Sequence, residues 1–230
     1  MGAPCAALCR AVALRIGIAP FDVWAGNPDP GAAEVVEFVN EAVAMVADAH
    51  AWTALRRRVT WAREAERGGG EERHAWPGDC RRLHADTVGC GSWAGIPGPV
   101  GVDEWERAAR SGATRPMWTT EGRWLVARGL PDAYALTARY QALVSPFAAD
   151  RQTVDLPDRP VILGALMLYR EAKGLPIGSA PAQYLAALAA ARSEDRPLGM
   201  LSLGGRREPG EGDFTSRRNP LVLDEDGVLG

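Results

Sequence analysis

The sequence predicts an α+β fold: a bundle of about four helices, an inserted antiparallel β-rich sub-domain, and an extended C-terminal arm. Three observations carry this expectation. Apolar residues recur at helical spacing towards both ends of the body, from Cys5 to Trp52 and from Val161 to Leu188. Between Arg57 and Leu143 the pattern changes to short β-rich runs separated by glycine and proline. From Pro197 to Gly230 neither period persists, and a segment this rich in glycine lacks the apolar surface to offset its own ordering entropy. The expected divisions are 1–56, 57–145, 146–196 and 197–230.

In the first division, Cys5, Leu8, Cys9, Val12 and Ile16 share one face of a short helix, with Pro4 at its start and Gly17 as its C-terminal cap. A turn-rich linker carrying Pro20, Pro28 and Pro30 follows. Asp29 then reads as an N-cap with Pro30 at the first helical position of a long second helix. Val35, Val39, Val43, Val46 and Trp52 belong to its wide apolar stripe, while Glu34, Glu37, Glu41 and Asp48 lie on the wet side. His50, at the end of that helix, reads as structural.

Six runs in the second division read as strands: Arg58–Arg63, Arg82–Val88, Val100–Glu106, Met117–Thr120, Arg123–Arg128 and Ala133–Leu143. Glu121–Gly122 separates two of them by a tight turn. In the last run Tyr134, Leu136, Ala138, Tyr140 and Ala142 alternate with Thr137, Arg139 and Gln141, the pattern of a strand with one buried face. With no helix expected between the runs, an antiparallel sheet or small barrel is favoured over a βαβ arrangement. Helices return after Pro157: one through Val161 and Leu166 ending at Gly174, and one opened by Ser179 and Pro181 with Tyr184, Leu185 and Leu188 facing inward.

Composition excludes several function classes. Lysine plus arginine number 26 against 29 acidic residues, a net charge of −3, so any contact with DNA has to be local. No apolar run approaches the roughly 18–20 residues that span a bilayer, and Met1–Arg10 lacks the pattern of a secretory signal. The expected place of synthesis and assembly is a cytoplasm. His74, Cys80, His84 and Cys90 do not have the spacing of a compact zinc site, so reduced thiols and no metal or cofactor are expected. Neither G-x-S-x-G, P-loop nor H-E-x-x-H occurs, and Gly89, Gly91 and Gly95 have the wrong spacing for a dinucleotide fingerprint. On a strand, Asp103 would face away from Glu104 and Glu106, which reads as a solvated charged surface. No catalytic residue is assigned and the chain is expected not to be an enzyme.

The tryptophans all lie between Trp24 and Trp124, and Trp61, Trp76, Trp93, Trp105, Trp118 and Trp124 crowd the strand-rich region. Core, hairpin and interface packing accounts for such a cluster, since tryptophan and arginine anchor subunit contacts. The C-terminal segment adds a short apolar cluster, Leu221, Val222 and Leu223, and the pairs Arg206–Arg207 and Arg217–Arg218. A solvated tail has little use for that cluster, so the segment reads as an arm that orders on a partner.

Taken in order, these residues resemble a family. Ala11–Gly17 (Ala-Val-Ala-Leu-Arg-Ile-Gly), the proline-bearing loop and the long helix ending at Trp52 are similar to the start of the head-to-tail adaptors of short-tailed phages. An arginine- and aromatic-bearing strand, Arg57–Trp61, follows, then the turn Pro77-Gly78-Asp79-Cys80-Arg81. Leu156-Pro157-Asp158 leading into Val161–Gly174, and the Tyr184 helix, resemble the family's returning helix pair. The resemblance covers residues 8–195, and related adaptors occur in long-tailed phages and gene transfer agents. It implies a structural virion protein at the head–tail junction: a homo-oligomeric ring, commonly of twelve copies, between the portal protein and a tail or stopper/nozzle protein. It also implies a C-terminal extension that grips the portal, for which Arg206, Arg207, Phe214, Arg217, Arg218, Leu221, Val222 and Leu223 are the candidates. DNA would pass through the lumen without specific binding, and no membrane is involved. Two other readings remain: a tail or baseplate protein that binds carbohydrate through its tryptophans, and a cytosolic enzyme without a recognisable motif.

Overall fold

Both ends of the body contribute to one helical core. The computed structural model describes residues 2–62, 70–91, 95–112, 115–130 and 135–195. Helix α1 (Cys5–Ile16) ends where Gly17, at φ 79°, turns its N–H back to Ala13 O. Helix α2 (Pro30–Ala49) begins as its sequence dictates. The Asp29 carboxylate accepts from the N–H groups of Gly31 and Ala32, and proline occupies the first position, where its missing donor costs nothing. The stripe Val35, Val39, Val43 and Val46 is fully buried against α1, α4 (Asp158–Ala172) and α5 (Ala180–Glu194). Gly164 lets α4 approach α2: a Cβ there would stand 3.0 Å from Met45 Cε and 3.4 Å from Ala42 Cβ.

The strand region holds two antiparallel sheets. In the four-stranded sheet β7 (Leu136–Ala142) is central. β1 (Arg56–Trp61) lies on one side of it, and β3 (Cys80–Leu83) and β4 (Gly89–Cys90) follow one another along the other. The three-stranded sheet has β6 (Trp124–Arg128) between β2 (Glu72–Ala75) and β5 (Met117–Glu121). One face of each supplies a second core of Val88, Cys90, Trp118, Leu125, Ala127, Leu136 and Ala138. Gly98 brings the loop before α3 (Val102–Ser111) onto β5, where a Cβ would meet Trp118 O at 2.4 Å. That approach lets Trp118 N–H bond Pro97 O and Val100 N–H bond Trp118 O.

Several expectations need correction. Val100–Glu106 is not a strand: α3 covers Val102–Ser111, so a helix does intervene between strands, and it is a fifth helix beyond the four of the bundle. Only Ala108 is buried on α3, so it has no apolar stripe to read. Asp103 and Glu104 stand in its positive first turn, Gly112 closes it at φ 64°, and Arg110 pairs with Glu106 one turn back. The division of Asp103 from Glu104 and Glu106 onto opposite strand faces falls with it. The run Arg82–Val88 breaks after Leu83 into a 3-10 turn, Ala85–Thr87. The β5–β6 turn is Gly122–Arg123 rather than Glu121–Gly122, because Glu121 still pairs with Trp124. Ser179 stands at the N-cap of α5 but makes no side-chain cap bond, and Pro181 is at the second position. Leu185 points to solvent, 60% exposed, while Tyr184 and Leu188 are buried as expected. Two strands, β2 and β4, had no signal in the sequence. Trp93, Tyr134 and the segment 197–230, with its eight arm candidates, lie outside the described residues.

Candidate functional site

The end of α2 is where helices and sheet meet, and its carbonyls account for the joint. The last carbonyls of a helix have no partner within it. Here Val46 O accepts from Trp52 Nε1 at 2.7 Å, Ala47 O from Gln141 Nε2 at 2.6 Å, and His50 O from the same amide at 3.1 Å. Arg192 of α5 donates to Ala49 O. Asp195, just past α5, accepts from Thr53 N–H at 3.0 Å and bonds His50 Nε2 at 3.0 Å, which gives His50 a structural place. Gln141 was expected on the wet side of β7, yet it is 1% exposed because α2 covers it.

The turn Pro77–Arg81 is the second half of the joint. The Asp79 carboxylate accepts from Tyr140 Oη at 3.0 Å and pairs with Arg57. The Arg123 guanidinium, presented by the β5–β6 turn, donates to Pro77 O, Gly78 O and Cys80 O at 3.0–3.3 Å. Arg81 forks onto Asp48 of α2 at 2.9 and 2.8 Å, the paired geometry that guanidinium and carboxylate planes favour. One five-residue turn thus ties β1, β7, the three-stranded sheet and the bundle. Its chemistry is positional.

The titratable groups fit the same reading. Cys80 is pushed up to about 11 by burial, and His84 is held below its ordinary value by burial and by Arg56 and Arg82. Cys9, which hydrogen-bonds Cys5 at Sγ–Sγ 3.8 Å, is raised by that bond and by burial, while the same bond lowers Cys5. Among the described residues no group of three or more histidine, cysteine, aspartate or glutamate side chains could hold a metal ion, so His74, Cys80, His84 and Cys90 form no such set. No described helix is long and apolar enough to cross a membrane.

The tryptophans divide. Trp118 is 1% exposed and donates through Nε1 to Ile96 O at 3.0 Å, so it is core rather than a sugar platform. Trp105 lies under the Arg128 guanidinium at 4.0 Å, and Trp76 near Arg123 at 5.9 Å. Trp124 is the most exposed of the described tryptophans, at 47%. A carbohydrate platform needs several such faces together, and these residues do not offer them.

These contacts tie helices and sheets to one another and none of them is a catalytic arrangement. The family model of the SU10 adaptor protein matches residues 4–209, through every described helix and strand and past the end of α5. The chain belongs to the SU10 adaptor protein family. This is a family of phage head-to-tail adaptors, so its role is structural, at the head–tail junction of a virion, in an oligomer that meets portal and tail components. No curated protein matches the chain. Of the residues that gave the resemblance by sequence, Trp52, Arg57 and the Pro77–Arg81 turn take part in the joint.

Proposed function

We propose that copies of this chain, twelve in number, form the ring between a portal and a tail, and that residues 197–230 grip the portal. The family match carries this reading, because adaptors of this kind act at that junction. The α2 joint is consistent with a structural part, since its buried and paired groups connect helices to sheets and hold no catalytic set. Leu14, Leu175 and Leu185, exposed by 63%, 46% and 60% on the helical side, would be covered by neighbouring copies.

The arm's proposed action is additive. Leu221, Val222, Leu223 and Phe214 would enter apolar sites on the portal, and Arg206, Arg207, Arg217 and Arg218 would pair with its carboxylates. A single such attachment is weak, but attachments on one ring act at high effective concentration. The lumen would pass DNA towards the tail. Assembly takes place in the host cytoplasm under this scheme.

Sedimentation with the cognate portal tests it. Purified chain is expected to be largely monomeric alone and to form rings on portal. Deleting residues 197–230 should leave the melting temperature nearly unchanged and abolish attachment. A truncation that unfolds the body, or one that still co-sediments, overturns the arm.

A further inference from the structure

We propose that the face of the four-stranded sheet that carries Gln141, where it stays exposed beyond the end covered by α2, is a binding site for the phosphate backbone of double-stranded DNA, formed by the exposed Arg58, Arg82 and Arg139 with the half-buried Arg56 at its edge. The register places these residues together. Arg58 lies directly across from Arg139, and Gln141 stands between Arg56 on β1 and Arg82 on β3. Opposed residues share a face, so all four guanidinium groups belong to the side that also bears Thr60 and Thr137. His84, two residues after Arg82, feels Arg56, Arg82 and Arg139 electrostatically.

Among the described residues no carboxylate forms an ion pair with the cluster, whereas Arg57, Arg73, Arg81 and Arg128 on neighbouring positions each have one. Among the described residues Asp86 is the carboxylate that acts on His84 against them. Arg56 Nε and His84 Nε2 are buried and without a hydrogen-bond partner. Two like charges directly opposite on paired strands are destabilising. An arrangement that costs stability in the free chain, on a protein of net charge −3, calls for an anionic occupant.

The composition of the face decides between DNA and an acidic protein. Protein–protein contacts centre on an apolar, aromatic-rich core, while nucleic-acid contacts are polar and strongly basic. On this face β1 and β7 carry arginine, threonine and, at the end that α2 covers, Gln141, with no apolar side chain among them. Alternate residues along a strand are about 6.6–6.8 Å apart, close to the phosphate spacing of a DNA strand, so Arg56 and Arg58 can meet successive phosphates. A local basic face also meets the requirement that charge balance set for any DNA contact. The proposal rests on the adaptor reading only for where the chain meets DNA.

Fluorescence anisotropy of the full chain with a labelled duplex of about 25 base pairs, titrated at low and rising salt, tests it. Binding is expected at low salt and should weaken steeply as salt rises. Arg58→Gln with Arg139→Gln should weaken it about tenfold or more and flatten the log–log salt slope by about two, one per phosphate contact. The same charge change on α3, Arg107→Gln with Arg110→Gln, should leave affinity within about twofold. Equal losses in the two pairs would reduce the effect to net charge and overturn the site, as would absence of binding at low salt. Displacement of the duplex by polyglutamate at lower charge concentration would assign the face to an acidic protein instead. Thermal melts of both pairs verify folding, and portal sedimentation of the wild-type chain, run separately, separates failure here from failure of the adaptor reading.

Discussion

The helical bundle and the strand region reach stability by different routes. In the bundle, contacts follow sequence period: Val35, Val39, Val43 and Val46 are each buried, and the same stripe that forms the helix also forms the core. In the strand region the core is smaller, and polar clamps from distant parts of the chain hold it. Arg123 binds the 77–80 turn, Arg57 and Tyr140 hold Asp79, and Gln141 of β7 caps α2. The difference shows that each helix of the bundle specifies itself and its buried face locally, whereas the sheets depend on groups that meet only after the chain has closed.

The largest test of that contrast is Trp118→Ala. Trp118 fills the strand-region core and its truncation should cost about 3–5 kcal/mol in urea unfolding. A loss below about 1 kcal/mol would show that the clamps rather than the core hold the sheets. Gln141→Leu comes next. It keeps the volume but leaves Ala47 O and His50 O buried without donors, at about 1–3 kcal/mol. If the joint couples the two regions, this variant should also separate unfolding followed by far-ultraviolet circular dichroism from unfolding followed by tryptophan fluorescence. Coincident curves would place the coupling elsewhere. Arg81→Ala should be the mildest. Its pair with Asp48 also links the four-stranded sheet to α2, but both side chains are about half exposed, so the loss should stay below about 1 kcal/mol. A larger loss would mean that the ion pair, not the buried amide, carries the joint.

Much of the fold was legible. The caps of α1 and α2, the returning helices and four of the strands follow from local signals that tolerate no alternative: Gly17 in a left-handed conformation, Asp29 before Pro30, and period-2 alternation along β7. Helix α3 was not legible, because a helix that buries one residue leaves no periodic trace, and Val100, Val102 and Trp105 imitate a strand. Leu185 was misplaced for a related reason. On a helix such as α5 the period marks a broad face, and its edge is settled by which neighbour covers it.

The site divides in the same way. The Pro77–Arg81 turn could be singled out as a motif, but not the partners that make it a hub, since Arg57, Arg123, Tyr140 and Asp48 come from four other segments. By itself the sequence determined where helices start and stop, which residues alternate, and that a charge-balanced chain offers DNA only a local contact. Tertiary structure alone decided which side of β7 faces α2, and so buried Gln141 and gathered Arg56, Arg58, Arg82 and Arg139 from three stretches of chain. Alternation sorts side chains into two sets. Which set meets solvent is fixed by the surface that packs against the strand, and that surface lies elsewhere in the sequence.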